Sequence, residues 1–239
     1  MITLDQLSIK IFADGADLPT MVELAKNPLI RGFTTNPTLM HKAGVRDYRA
    51  FAREAITIAG DRPISLEVFA DDLEGMERQA REIASWGSNV YVKVPVTNTQ
   101  GVSTNDTVTR LSHWGIRVNV TAVTTFAQAR AVATCLDPRV PAYISIFAGR
   151  IADTGHDPVY TIMTTRTVLD RWRPLIEIIW ASPREVLNIY QADAAGAHII
   201  TVSADILAKL PNIGKDLTQL SLETVQMFHR DAQAAGFTL

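Results

Sequence analysis

Six short apolar stretches of this chain carry polar or aromatic side chains two residues apart, and their types suit carbonyl chemistry. The most telling is Asn89-Val90-Tyr91-Val92-Lys93-Val94-Pro95-Val96, where one lysine sits among β-branched, aromatic and turn-forming residues. A run of that length, bounded by Gly87 and Pro95, reads as a strand buried on both faces, as in a parallel sheet covered by helices. Burying an ammonium there is costly unless it is paired or gives up its proton. A deprotonated lysine is a nucleophile suited to attacking a carbonyl. The alternative is a strand-end lysine that snorkels its amine into solvent.

Alternate residues of a strand share a face. Ser65 and Glu67 therefore form a same-face pair, as do Tyr91 and Lys93, Asn119 and Thr121, Ser145 and Phe147, Phe12 and Asp14, and Thr34 and Asn36. One buried polar residue is ordinarily a satisfied core group. Six strands delivering such groups to one rim point instead to a site. In it, Lys93 would attack a ketone and lose water to give an iminium, an electron sink for breaking the adjacent C–C bond. Asp14 would take the proton from the hydroxyl on the departing carbon. Glu67 and Thr121 would hold and deprotonate a water that makes and later hydrolyses the imine. Asn36 and Asn119 would bind the hydroxyls of the retained three-carbon unit. A competing role for Glu67 is a structural ion pair with Lys93, a use that seldom improves on apolar packing.

The elements that must position these residues alternate along the chain. Strands are expected over residues 8–14, 30–34, 63–69, 89–96, 116–121, 140–147, 174–180 and 197–202. Helices are expected over 18–26, 47–60 with Asp47 as N-cap, 72–86, a segment with Val108, Leu111 and Trp114, 124–136, and 159–172. Ser182-Pro183 reads as N-cap and N1 of a helix closed by Gly196, and Ser203 as the cap of a short helix to Leu210. A last helix over 217–235 has no strand after it. Eight strands in alternation with helices predict α/β architecture closed into a (β/α)8 barrel with an additional C-terminal helix. No linker or compositional break divides residues 1–239, so one domain is expected. No GxGxxG follows a strand, which leaves an open doubly wound sheet without support.

The bulk properties narrow the function classes. The 239 residues are 47% hydrophobic and 20% charged, with a formal charge of -2, which offers no footprint for nucleic acid or an anionic membrane. No apolar run approaches the roughly 20 residues of a membrane span. Cys135 is the sole cysteine, so there is no disulfide framework and a reducing, cytoplasmic setting is expected. Met1-Ile2-Thr3-Leu4-Asp5 lacks the basic start of a signal peptide. The five histidines show no metal-ligand spacing, and neither metal nor cofactor is expected.

The residues singled out above resemble the transaldolase and fructose-6-phosphate aldolase family of class I aldolases. The resemblance rests on Phe33-Thr34-Thr35-Asn36-Pro37-Thr38, Ser65-Leu66-Glu67-Val68, Val92-Lys93-Val94-Pro95, Asn119-Val120-Thr121 and Ser145-Ile146-Phe147-Ala148-Gly149-Arg150-Ile151. It implies that Lys93 is the Schiff-base lysine, Asp14 the acid/base, Glu67 and Thr121 the water-binding pair, and Thr34, Asn36, Asn119 and Ser145 donor-binding residues. Simple aldolases of the family carry glutamine and tyrosine where this chain has Glu67 and Phe147, so transfer to an acceptor is implied over release. The family's serine, aromatic and basic run after strand seven, which helps Arg150 hold a phosphate, falls on Ile179-Trp180-Ala181. Arg184 or the helix at Ser203 is then expected to substitute, with Trp180 nearby. A sulfonated ketose is an alternative to a sugar phosphate such as fructose 6-phosphate or sedoheptulose 7-phosphate, and simple aldol cleavage of fructose 6-phosphate is another. A catalytically silent scaffold would be expected to lack part of this polar set. The resemblance also implies homo-oligomeric rings joined through residues 212–239.

Overall fold

The apolar runs become strands because their β-branched residues pack on both faces of a closed sheet. In the computed structural model, which describes residues 3–172 and 175–238, every residue of β4 except Pro95 is buried. The order is β1 (Lys10–Asp14), α1 (Leu18–Ala25), β2 (Ile30–Thr34), α2 (Pro37–Lys42), α3 (Tyr48–Ala59), β3 (Ile64–Glu67), α4 (Leu73–Ala84) and β4 (Val90–Pro95). There follow α5 (Asn105–His113), β5 (Val118–Val123), α6 (Phe126–Cys135), β6 (Ala142–Ile146), α7 (Ala148–Ala152) and α8 (Val159–Trp172). The chain continues through β7 (Ile176–Trp180), α9 (Leu187–Ala194), β8 (Ile199–Ser203), α10 (Ala204–Leu207) and α11 (Leu217–Ala234). The strands close in sequence order, all parallel, with β8 pairing back onto β1. This is the expected (β/α)8 barrel with an extra C-terminal helix.

Helix starts follow their caps. Asp17, Asp47, Asp72 and Asp216 each accept a backbone N–H with a side-chain oxygen, and Thr125 forms a capping box with Gln128. Two short helices, α2 and α7, were not expected. At six and five residues they are too short for periodicity to reveal. One expectation is overturned: Ser182-Pro183 does not open the helix after β7. Ser182 has φ 58°, in the left-handed region rather than the extended region of an N-cap, and α9 begins at Leu187. Ser203 does precede α10, but its side chain makes no capping bond, and a separate 3-10 turn covers Leu210–Asn212. The expected start of strand seven at Pro174 lies outside the described residues.

Inside the barrel, Phe12, Tyr91, Tyr143, Ile179, Ala181 and Ile199 form an apolar plug below the polar rim. Tyr91 and Tyr143 stack at 4.0 Å, and Phe12 meets Tyr143 edge-on at 6.0 Å. Gly32 is required opposite Phe12, because a Cβ there would lie 2.5 Å from the phenyl ring. The plug gives the rim a closely packed, largely apolar floor.

On the outer side of the sheet, His198 accepts a hydrogen bond from the Ile178 amide through Nδ1, which needs a neutral ring. Burial, aided by Arg166, holds its pKa down at about 4. The unfolded ring, near 6.5, therefore binds more protons across that window, and stability falls as pH drops from about 6.5 to 4. Discounted for partial solvent exposure, about 1–2 kcal/mol should be lost. Urea unfolding at pH 7 and pH 4.5 should show this slope in the wild type and a flatter one in H198N. Equal slopes would remove His198 from the account.

Candidate active site

Strand register builds the site. Glu67 on β3 stands level with Lys93 on β4, and Lys93 with Asn119 on β5, while Asp14 on β1 stands level with Thr34 on β2. Parallel neighbours in register point the same way, so these side chains converge at the C-terminal mouth of the barrel. Lys93 Nζ lies 3.1 Å from Glu67 Oε2 and donates to the Thr35 carbonyl at 2.8 Å. The lysine is only 6% exposed, so the snorkelling alternative fails on position.

Around this pair the remaining groups are tied into place. Asp14 Oδ1 accepts from Thr34 Oγ1 at 2.7 Å. Burial pushes the Asp14 carboxyl up from the usual carboxylate range, Lys93 and Thr34 pull it back, and Glu67 adds to the rise. Ser145 Oγ donates to Asn119 Oδ1 at 2.7 Å, and Asn119 Nδ2 donates to Ser65 Oγ at 3.0 Å. The Thr121 hydroxyl is buried and has no hydrogen-bond partner among the described residues, which suits a bound water or substrate oxygen. Its aim comes from a break in β5: the register with β6 shifts between Val120 and Val123, and Ala122 adopts φ 60°.

These groups enclose a cavity of about 350 Å³. Asp14, Thr34, Asn36, Glu67, Lys93, Thr121, Ser145, Phe147 and Arg150 all line it. Asn119 sits one bond behind its wall, through Ser145. Asn36 has a second duty, since its Oδ1 accepts from the Leu39 amide and caps α2. Trp180 and Arg184 line a different cavity, behind α7 and α9, and Ser203 lines a third, beside α1 and α2. Arg184 is engaged in a two-pronged pair with Asp153, through Nε at 3.0 Å to Oδ1 and through Nη2 to Oδ2.

Three contributors escaped the sequence reading. The Thr35 carbonyl is backbone and leaves no side-chain signal. Thr201 lines the cavity and was legible as the same-face partner of Ser203. Ser182 lines the cavity too, hidden by its reading as a helix cap. Ser182 thus brings a serine to the cavity wall three residues beyond Ile179, which belongs to the barrel plug, whereas Arg184 lines a different cavity.

Gly149 allows that loop to reach the cavity. A Cβ on Gly149 would lie 1.5 Å from the Ser182 carbonyl oxygen, and the Gly149 amide bonds the Ala181 carbonyl at 3.3 Å. G149A must therefore push the α7 and β7 loops apart. It should destabilise the fold by about 1–3 kcal/mol and, by disturbing the cavity wall at Ser182, raise KM more than it lowers kcat. An unaltered KM and melting curve would show that the loops part freely.

A (β/α)8 barrel with a buried lysine–carboxylate centre at its C-terminal mouth is an arrangement suited to carbonyl chemistry on an activated lysine. A sequence profile described as Transaldolase/Fructose-6-phosphate aldolase matches residues 11–239. A "Probable transaldolase" of Thermoanaerobacter sp. (strain X514) is 37% identical over 235 residues, covering 97% of this chain and 100% of the relative. Another from Carboxydothermus hydrogenoformans is 36% identical over 202 residues, covering 84% of this chain and 90% of the relative. The chain belongs to the transaldolase/fructose-6-phosphate aldolase family. Among solved structures, a "(Putative)lactate oxidase" of Pediococcus acidilactici superposes with a TM-score of 0.57 at 16% identity, covering 81% of this chain and 62% of that one. That likeness is one of fold alone. Among the described residues, no helix is long and apolar enough to cross a membrane, and no cluster of three His, Cys, Asp or Glu side chains is placed to hold a metal.

Proposed function

We propose that the chain is a transaldolase that moves a dihydroxyacetone unit from a ketose donor to an aldehyde acceptor through a Schiff base on Lys93. The observation that carries this reading is the buried Lys93–Glu67 pair at 3.1 Å, facing one cavity with Asp14 and Thr121. Lys93 Nζ attacks the donor C2, and loss of water gives the iminium. Asp14 takes the C4 hydroxyl proton, the C3–C4 bond breaks, and its electrons pass to the iminium to leave an enamine. The shortened aldehyde leaves, an acceptor aldehyde takes its place, and the same steps run in reverse. Glu67 and the Thr121 hydroxyl serve the water that enters and leaves at C2. Asn36, Asn119 and Ser145 hold the hydroxyls of the three-carbon unit. Phe147 places a ring where a phenol would orient water for release, which favours transfer.

The far end of the donor meets Arg150, whose guanidinium lies 5.7 Å from the centre of the Phe147 ring, together with Ser182. Arg150 and a loop serine suit a sugar phosphate, the more so if the phosphate draws Arg184 from Asp153. The engagement of Arg184 with Asp153 favours a second reading, a sulfonated ketose, whose single charge asks for fewer donors. On either reading, the exposed apolar side chains of α11, Leu217, Val225 and Phe228 among them, support association of copies through that helix.

Incubation with fructose 6-phosphate, sulfofructose or fructose, followed by borohydride, tests the proposal. The expected product is a three-carbon adduct on the Lys93 peptide, formed most readily with the phosphate. An adduct with sulfofructose alone would select the second reading, and no adduct with any donor would end both. Product yield with and without an acceptor aldehyde separates transfer from simple cleavage.

A further inference from the structure

Asp14 is the end of a hydrogen-bond chain that runs through the two strands flanking its own. β1 lies between β2 and β8 and pairs with both. Thr34 on β2 donates its hydroxyl proton to Asp14 Oδ1 at 2.7 Å. Thr201 on β8 stands level with Phe12, one same-face step below Asp14, and its hydroxyl is hydrogen-bonded to that of Thr34. A hydroxyl has one proton to give. Thr34 gives its proton to the Asp14 carboxylate, so Thr201 must be the donor of the second bond. Both threonines are buried, at 3% and 5% exposure, and the Thr201 side chain makes no other hydrogen bond among the described residues. With Asp14 ionised, the chain points both hydroxyl protons toward the carboxylate, and donor bonds to a carboxylate favour its charged form.

We propose, resting on the reading of Asp14 as the acid/base, that Thr201 is a positioning residue that acts through Thr34 to keep the Asp14 carboxylate ionised and oriented toward the departing hydroxyl. Desolvation works in the opposite direction, raising the Asp14 pKa. Lys93 and Glu67 face Asp14 from β4 and β3, and Asp17, Lys42 and Asp205 line the neighbouring cavity that Asp14 also borders. None of these is altered by a change at Thr201, so a change in titration of the reaction traces to the hydroxyl chain.

Valine matches threonine in shape and lacks the donor, which separates hydrogen bonding from packing. The test is kcat and KM against pH for the full chain, with fructose 6-phosphate and an acceptor aldehyde, in wild type, T201V and T201S. T201V should move the acid limb of kcat up by roughly 0.5–1 pH unit. It should lower kcat at neutral pH about threefold to tenfold with KM nearly unchanged, and T201S should restore both. An unmoved limb with wild-type kcat in T201V, or a T201S no better than T201V, would assign Thr201 to packing and overturn the proposal. If T201V does not fold, T201C, with its weaker S–H donor, gives the same comparison. D14N sorts the failures. A D14N enzyme with wild-type kcat would remove the acid/base reading and Thr201 with it, whereas an inactive D14N beside an unmoved T201V limb would remove Thr201 alone.

Discussion

Lys93→Met should lower kcat by about 10⁴-fold or more and abolish the borohydride adduct. No other amine lines the catalytic cavity among the described residues, and Lys42 belongs to the neighbouring one. Methionine fills much of the lysine volume, so the core should survive. The carboxylate of Glu67, 15% exposed, loses its cationic partner and the Thr35 carbonyl loses its donor. Breaking one half of a buried ion pair costs about 3–5 kcal/mol, and the open cavity should hold the loss to the lower end. K93M/E67Q should regain most of that stability and none of the activity. Activity above about 1% of wild type in K93M would exclude Lys93 as the nucleophile. K93R adds a control, since it keeps the charge beside Glu67 without a useful nucleophile.

Asp14→Asn should lower kcat by about 10²- to 10⁴-fold and yet stabilise the protein at neutral pH. Removing a general base accounts for the first effect. The second follows from the direction of the Asp14 shift, which burial raises against the pull of Lys93 and Thr34. A carboxyl whose folded pKa is raised favours the fold most below its unfolded pKa near 3.8, and that contribution is lost as pH rises through the folded value. At pH 7 the fold therefore carries the penalty of a buried charge that asparagine lacks. D14N should show a higher Tm than wild type at pH 7, with the difference shrinking as pH falls toward 4. A lower Tm at pH 7 would mean that the bonds from Thr34 and the attraction of Lys93 outweigh desolvation. Activity and stability should move in opposite directions here, as expected where a site is held in a strained electrostatic state.

Much of this site was legible before any fold was known. Alternation in a strand is local backbone geometry, so Ser65 with Glu67, and Asn119 with Thr121, had to share faces once their strands formed. In-register parallel closure then carried Glu67 to Lys93 and Thr34 to Asp14. Asn36-Pro37 was also legible as an N-cap and N1 pair, but Asn36 was read for its amide and α2 went unseen. Ser182-Pro183 made the opposite error, a cap signal overridden by the close approach of Gly149 to the Ser182 carbonyl.

The amino-acid sequence alone determined the eight strands, the faces of their side chains and the lysine, carboxylate and hydroxyl set at the C-terminal mouth, because each depends on periods of two or 3.6 residues along the chain. The tertiary structure alone decided that Arg184 pairs with Asp153 instead of lining the catalytic cavity, that Ser182 lines it, and that Thr201 reaches Asp14 through Thr34. Those outcomes depend on contacts between segments far apart in the chain, 167 residues in the case of Thr201 and Thr34. No local pattern records such contacts, because they arise only when the barrel closes and brings β8 beside β1.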